Sequence, residues 1–342
     1  MTAATDNLPS EASPASFSPP PPHARHLACT PHSADRPDAR RSTRTGPHRG
    51  SLLAVLAVLT LAGLLAACSP RQLLVQGVAD ALATQGQADE EDLALARDAS
   101  PFYLKLSESL LKESPGNLKL AQSVASGFTQ YAYAFVASEA ERLAATDAKQ
   151  AHALNERARR MYLRAHRHAM TALELSAPGF TARLMQASAT PDAVLLRPEQ
   201  VGLAYWAAAS WGAAIALSKD DPDTVADLPA VVRLATWAAH TDPTHGQGAL
   251  ASLMGTLEAA RPGGSVAKAS QWFDQAIALA AGTQAAPYVA KAEAIAQPGG
   301  DRPEFERLLG LALAASAGRP DMSNQVMRAR AQWLLGMADD LF

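Results

Sequence analysis

The chain has 342 residues, with 30 Lys plus Arg against 33 Asp plus Glu, a net charge of −3 and two cysteines. Charge this balanced and scattered excludes nucleic acid as the main partner, and two thiols cannot make a disulfide framework or a cysteine-based metal site. The length allows one large domain or two small ones.

Residues 1–50 are rich in Pro, His, Arg and Ser, with four consecutive prolines at 19–22. So few apolar side chains cannot offset chain entropy, which predicts a disordered leader. Arg40-Arg41 invites a twin-arginine reading that the following Ser42-Thr43-Arg44 does not support. From 51 to 67 the chain is an apolar run preceded by Arg49, and it ends Leu65-Ala66-Ala67-Cys68. A positively flanked apolar run closing on small residues is a secretory signal. Leu-small-small-Cys resembles the bacterial lipobox, which implies cleavage before Cys68 and covalent lipid on its thiol, an anchor of several acyl chains. The alternative is an uncleaved N-terminal membrane helix with a chance cysteine. Cleavage also discards Cys29 and leaves 68–342 as a single helical-repeat domain of 275 residues, with 24 basic and 29 acidic side chains and no free thiol. Ser69 stands where an Asp would retain such a lipoprotein in the inner membrane, so the expected site is the inner leaflet of the outer membrane, facing the periplasm.

Beyond the anchor the pattern is helical throughout. A short helix at 69–84 carries Leu73, Leu74, Val78 and Leu82 on one side. The acidic run 89–92 leads into a helix pair that stops at Ser114-Pro115-Gly116-Asn117. Leu120, Val124, Phe128, Tyr131 and Phe135 then mark one face of a long helix that is uncharged from 120 to 138, so its other face is covered too. Helix 148–175 has an apolar stripe at Ala151, Leu154, Ala158, Met161, Ala165, Ala169 and Ala172. Its Arg157, Arg160, Arg164 and Arg167 read as a solvated face, with a docking strip for an acidic partner as the alternative. Residues 200–218 are uncharged but alanine-rich, which fits the buried middle of a stack better than a membrane span. Further helices follow at 231–241, 249–260, 266–280, 287–296, 303–315 and 323–340, separated by Pro-Gly turns. No alternating strand pattern appears, so the fold class is all-α.

Turns at Pro115, Pro178 and Pro243 recur at about twice the tetratricopeptide length, and Ala269, Phe273 and Ala276 match that repeat's second helix. Phe305, Leu309 and Ala312 repeat the spacing. This predicts an α-solenoid of helix pairs, each burying the face its neighbour exposes.

Three stretches resemble a known family. The run Ser126-Gly127-Phe128-Thr129-Gln130-Tyr131-Ala132-Tyr133-Ala134-Phe135 is similar to a hallmark of the T component associated with TRAP transporters (TatT). So are Tyr205-Trp206 through Trp211-Gly212-Ala213-Ala214 to Ser218-Lys219-Asp220-Asp221, and the tail from Arg330-Ala331-Gln332-Trp333 to Leu341-Phe342. The resemblance implies a periplasmic lipoprotein of tetratricopeptide-like repeats, a homotrimer around a central pore, a TRAP solute-binding protein as partner, and a hydrophobic organic solute as ligand. One departure is Ala281, where a repeat lacks its closing Pro.

No enzyme chemistry is called for. His166 and His168 stand two apart on a helix and point to different sides, while His240 and His245 have only Asp242 nearby. With no strand there is no phosphate loop, and no cofactor is implied beyond the lipid on Cys68. Candidate ligand or partner residues are the aromatics Tyr131, Tyr133, Phe135, Tyr205, Trp206 and Trp211, with Lys219, Asp220 and Asp221 as a rim or a helix cap. The leading reading is an accessory to a TRAP-type transporter. The alternatives are a scaffold lipoprotein for envelope assembly and, further off, a helical hydrolase of lipid or glycan.

Overall fold

The computed structural model describes residues 90–186 and 196–342. The leader, the signal segment, Cys68 and the short helix at 69–84 lie outside the described residues. Every regular element among the described residues is helical, as the sequence pattern predicts.

Helix α1 (Leu93–Glu113) starts on Asp92, whose carboxylate accepts from the amides of Ala94 (2.8 Å) and Leu95 (3.1 Å). The sequence suggested a helix pair here. Instead one 21-residue helix runs straight through Pro101, anchored by its inward face of Ala96, Ser100, Leu104, Ser107 and Leu111. Tertiary packing of that face outweighs the lost backbone hydrogen bond. Asn117 caps α2 (Leu118–Tyr131) by accepting from Leu120 N at 2.9 Å.

The helical path then continues through a π-helical segment, Ala132–Ala137, into α3 (Ser138–Leu143). The extra residue in the wide turn shifts the phase of everything after it. Leu120, Val124, Phe128 and Tyr131 are buried as predicted, but Val136 and not Phe135 takes the next core place.

Helix α4 (Ala148–Ser176) and α6 (Pro198–Ala216) form the centre, with α4 packed on α2 and α6, and α6 packed also on α8 (Leu228–Thr241). Two short helices, α5 (Phe180–Met185) and α7 (Pro222–Val225), bridge the connections. Val201, Leu203, Ala204, Ala207, Ala208 and Ala214 of α6 are all buried, so its uncharged character is that of a core helix. No described helix is long and apolar enough to cross a membrane.

Past a tight turn at His245–Gly248 come α9 (Ala249–Ala260) and α10 (Val266–Ala280), then α11 (Ala286–Lys291) with a second π-helical segment, Ala292–Ala296. The chain finishes with α12 (Arg302–Gly318), α13 (Met322–Gly336) and α14 (Ala338–Leu341). The single terminal helix read at 323–340 is thus interrupted at Met337. Ala269, Phe273, Ala276, Phe305, Leu309 and Ala312 have no exposed surface. Each buried Phe or Leu among them contributes roughly 1.5–3 kcal/mol. The α10 helix approaches α9 closely because a Cβ at Gly255 would meet the Phe273 ring at 3.0 Å.

Ala281 closes α10 with φ 48°, followed by Gly282 at 74°. Proline, locked near −65°, cannot make this left-handed turn, so the missing repeat proline has a local cause.

The apolar core is divided. A large cluster spans α1 to α9, and a smaller one is built from α11, the second π-helical segment, α12 and α13. The two ends of the described chain meet where α13 packs on α1. Buried Asn324 fastens the start of α13, accepting from Ala285 N (2.9 Å) and donating to the carbonyls of Thr283 (2.9 Å) and Arg319 (2.8 Å).

Candidate functional site

A cavity of ≈ 930 Å³ opens where the first helices face the last. One wall is α1, through Leu95, Ala99, Tyr103 and Ser107. The second is α2 and its π-helical extension, through Ser123, Ser126, Gln130, Tyr133 and Ala134. The third is the entry to α13, through Arg319, Met322, Val326 and Met327. Apolar side chains and methionines alternate with hydroxyls and amides around the space, and Glu90, Arg319 and Asp321 add charge to its lining. Volume and lining suit an organic molecule with an apolar body and a few polar groups. At one end the walls touch: a Cβ at Gly127 would lie 2.6 Å from Leu104 Cδ2. Glycine there leaves room for the Leu104 side chain between α1 and α2.

Beside the cavity lies an ion cluster that joins the ends of the chain. Arg330 of α13, 12% exposed at its side chain, donates through both terminal nitrogens to Glu141 of α3, and through Nη2 to Glu293 in the second π-helical segment. Its guanidinium also stacks 4.9 Å from the centre of the Trp333 ring. Burial opposes the charge on Arg330, but the hydrogen bond to Glu141 and the Glu293 carboxylate keep it firmly protonated. Burial pushes the Glu293 carboxyl up, with Arg330 pulling the other way. Tyr133, on the cavity wall, has its hydroxyl held protonated by burial and by the same Glu293 charge. Each of the two π-helical segments thus supplies one member of this cluster, Tyr133 from the first and Glu293 from the second.

A second buried carboxylate ties α1 to α4. Glu108 accepts from Lys105 Nζ (2.7 Å), from His168 Nε2 (2.8 Å) and from two nitrogens of Arg164. Burial works against its charge, yet the hydrogen bonds from Arg164, Lys105 and His168 hold the carboxyl at about 2. Arg164 lies in addition 4.8 Å over the Phe128 ring. It therefore leaves the solvated strip to which the sequence assigned it, while Arg157, Arg160 and Arg167 remain exposed.

The predicted aromatics disperse. Tyr133 alone among them lines the cavity. Tyr131 is buried against Phe135, ring centres 5.3 Å apart. Tyr205 packs on Trp206 (4.8 Å) and His245 (5.6 Å), and burial pushes its hydroxyl up to about 12. Trp211 packs against His166 with tilted rings, centres 4.4 Å apart. The buried imidazole, hydrogen-bonded at Nδ1 to the Ala207 carbonyl (3.2 Å), is driven down to about 4 and stays neutral. His168 goes to Glu108, so the two histidines do point to different sides. Lys219, Asp220 and Asp221 are exposed, and Asp221 caps α7 through the amides of Asp223 and Thr224. Among the described residues no cluster of three or more His, Cys, Asp or Glu could hold a metal.

Sequence reasoning missed the cavity wall on α2. Its trace was there: Ser123, Ser126, Gly127, Gln130 and Ala134 recur at helical spacing opposite the apolar face. The absence of charge there has two causes: Ala121, Ala125 and Thr129 are buried against neighbouring helices, and the serines, Gln130 and Ala134 line the space.

The model of the TRAP transporter T-component family matches residues 89–342, which includes all three walls of the cavity and every member of both ion clusters. The chain belongs to the TRAP transporter T-component family. A relative is an uncharacterized protein of Treponema pallidum (strain Nichols), 30% identical over 277 residues, covering 78% of this chain and 85% of that protein. As a T-component the chain falls in a family of transporter accessories, and no helix among the described residues is long and apolar enough to cross a membrane.

Proposed function

We propose that this T-component is a periplasm-facing lipoprotein, anchored through Cys68 to the inner leaflet of the outer membrane. It binds the solute-binding protein of a TRAP-type transporter and holds a hydrophobic organic solute in the cavity between α1, α2 and α13. The observation that carries this reading is a cavity of ≈ 930 Å³ with mixed lining in a member of this family. Tyr133 suits such a site because its ring is apolar and its hydroxyl stays protonated to orient a polar end. Among the residues first singled out, Tyr133 is the ligand-facing one, and Lys219, Asp220 and Asp221 are left for contact with a protein partner. The fully buried Ala269-Phe273-Ala276 and Phe305-Leu309-Ala312 sets support a tetratricopeptide-like solenoid. Assembly as a homotrimer belongs to the same reading.

The test is to purify the full chain and identify small molecules released on denaturation, then repeat with Ala134→Trp and Ser123→Trp, which fill the cavity. An apolar solute present in the wild type and lost in both variants, with unchanged helical circular dichroism, is the expected result. Titration against the TRAP solute-binding protein reads the partner separately. No solute and no binding together refute the proposal.

A further inference from the structure

Helix α1 carries two apolar faces. Ala96, Ser100, Leu104, Ser107 and Leu111 point inward. On the outer side Leu95, Ala99, Phe102 and Leu106 follow at i, i+4, i+7 and i+11, a stripe three turns long with no helix of the described residues over it. Leu95 is 55% exposed, Phe102 68%, Tyr103 48% and Leu106 37%. These are four of the nine large hydrophobic side chains that the described residues expose, concentrated on one helix. Phe102 and Tyr103 meet edge to face, ring centres 5.7 Å apart. Leu95 and Tyr103 also line the cavity, which makes this stripe the border of its mouth.

We propose that the outer face of α1 lies in the interface of a phospholipid bilayer, with the cavity mouth turned toward the lipid. The inference rests on the lipid anchor at Cys68 proposed above. Twenty-four residues separate Cys68 from Leu93, so a fully extended tether reaches at most about 80 Å and keeps α1 at high effective concentration beside the membrane. The stripe exposes roughly 400 Å² of apolar side chain, about half of what one partner contributes to a standard protein interface. That is too small for a stable contact with a second copy, and it suits shallow insertion of a few side chains already tethered nearby. Tyr103 carries a hydroxyl at the edge of the stripe, as on a helix lying at a lipid surface, while Lys105 and Arg97 spend their charges on Glu108 and Asp98. An apolar solute could then pass between the bilayer and the cavity without crossing water.

The test uses the full chain reconstituted in phosphatidylcholine/phosphatidylglycerol vesicles containing a nitroxide-labelled lipid. Phe102→Cys, Leu106→Cys and, on exposed α10 surface, Ala267→Cys are each labelled with an environment-sensitive fluorophore. The expected result is blue-shifted emission and several-fold stronger lipid quenching at positions 102 and 106 than at 267. Equal quenching at all three positions overturns the proposal, since the anchor alone would produce it. Blue-shifted but unquenched emission also overturns it, because protein then covers the face. The mass of the N-terminal peptide reads the anchor independently. If it carries no acyl chain, the anchor reading falls, and the same labelled chains are titrated with vesicles. Saturable quenching confined to 102 and 106 then supports the face, and its absence overturns it.

Discussion

Replacing Glu108 by Gln removes the carboxylate on which Lys105, Arg164 and His168 converge. Its own side chain is 4% exposed, while Lys105 and Arg164 reach it from the more open side. In the fold its carboxyl sits at about 2, against an ordinary value of 4.5, because the hydrogen bonds from Arg164, Lys105 and His168 outweigh the cost of burial. That difference corresponds to about 3 kcal/mol of linked stability. The folded value is the lower one, so the contribution is complete above 4.5 and disappears as pH falls through about 2. Glu108→Gln therefore lowers stability by about 3 kcal/mol at neutral pH, by roughly half that near pH 3, and by little at pH 2 and below. Other acidic groups titrate over the same range, but they do so in both proteins and cancel in the comparison. The assay is urea unfolding followed by circular dichroism, wild type beside variant, from about pH 7 down to about pH 3. A gap below about 0.5 kcal/mol at neutral pH, or one that stays constant on acidification, refutes the argument.

Two further changes probe the joins of the fold. Arg330→Gln strands the Glu293 carboxyl in a buried site and costs roughly 3 kcal/mol. Hydrogen exchange should accelerate in α13 and residues 292–296 while α4 and α6 stay protected; a uniform loss of protection would show that Arg330 does not fasten the chain ends. Ala281→Gly relieves a left-handed residue at φ 48° and raises stability by about 0.5–1 kcal/mol in thermal unfolding, whereas a loss would mean that the turn carries no strain.

Local periodicity made the helices legible. The caps Asp92, Asn117 and Asp221 and the breaks at the Pro-Gly turns can be read by eye, and so can the burial of α6, because each depends on residues a few positions apart. What failed was phase and distance. The face through Tyr131 was read correctly and Phe135 was not, because the π turn that begins at Ala132 inserts a residue without any breaker to announce it. Arg164 resembled its solvated neighbours until folding brought it to Glu108, 56 residues earlier. The cavity needs α1 and α13 side by side, a contact across the length of the domain that no spacing within either helix encodes. The aromatics drew attention because they are large, yet most of them fill the core. The wall of the cavity is made by the small and hydroxylated residues between them.

A space this large between packed helices would close if nothing held its walls apart. Here the separation is set at two edges. On one, Gly127 lets Leu104 press against α2, fixing how near α1 can come. On the other, Arg330 draws α13 toward Glu141 at the end of α3 and toward Glu293 in the second π-helical segment. An ion pair of fixed geometry can span a gap that apolar side chains would fill by collapsing into it. The first π-helical segment turns Tyr133 to the cavity wall, within reach of the charge on Glu293. The polar cluster that joins the chain ends is therefore also the electrostatic boundary of the site. A solute bound beside Tyr133 would sense, and bias, the same contacts that hold the last helices to the first.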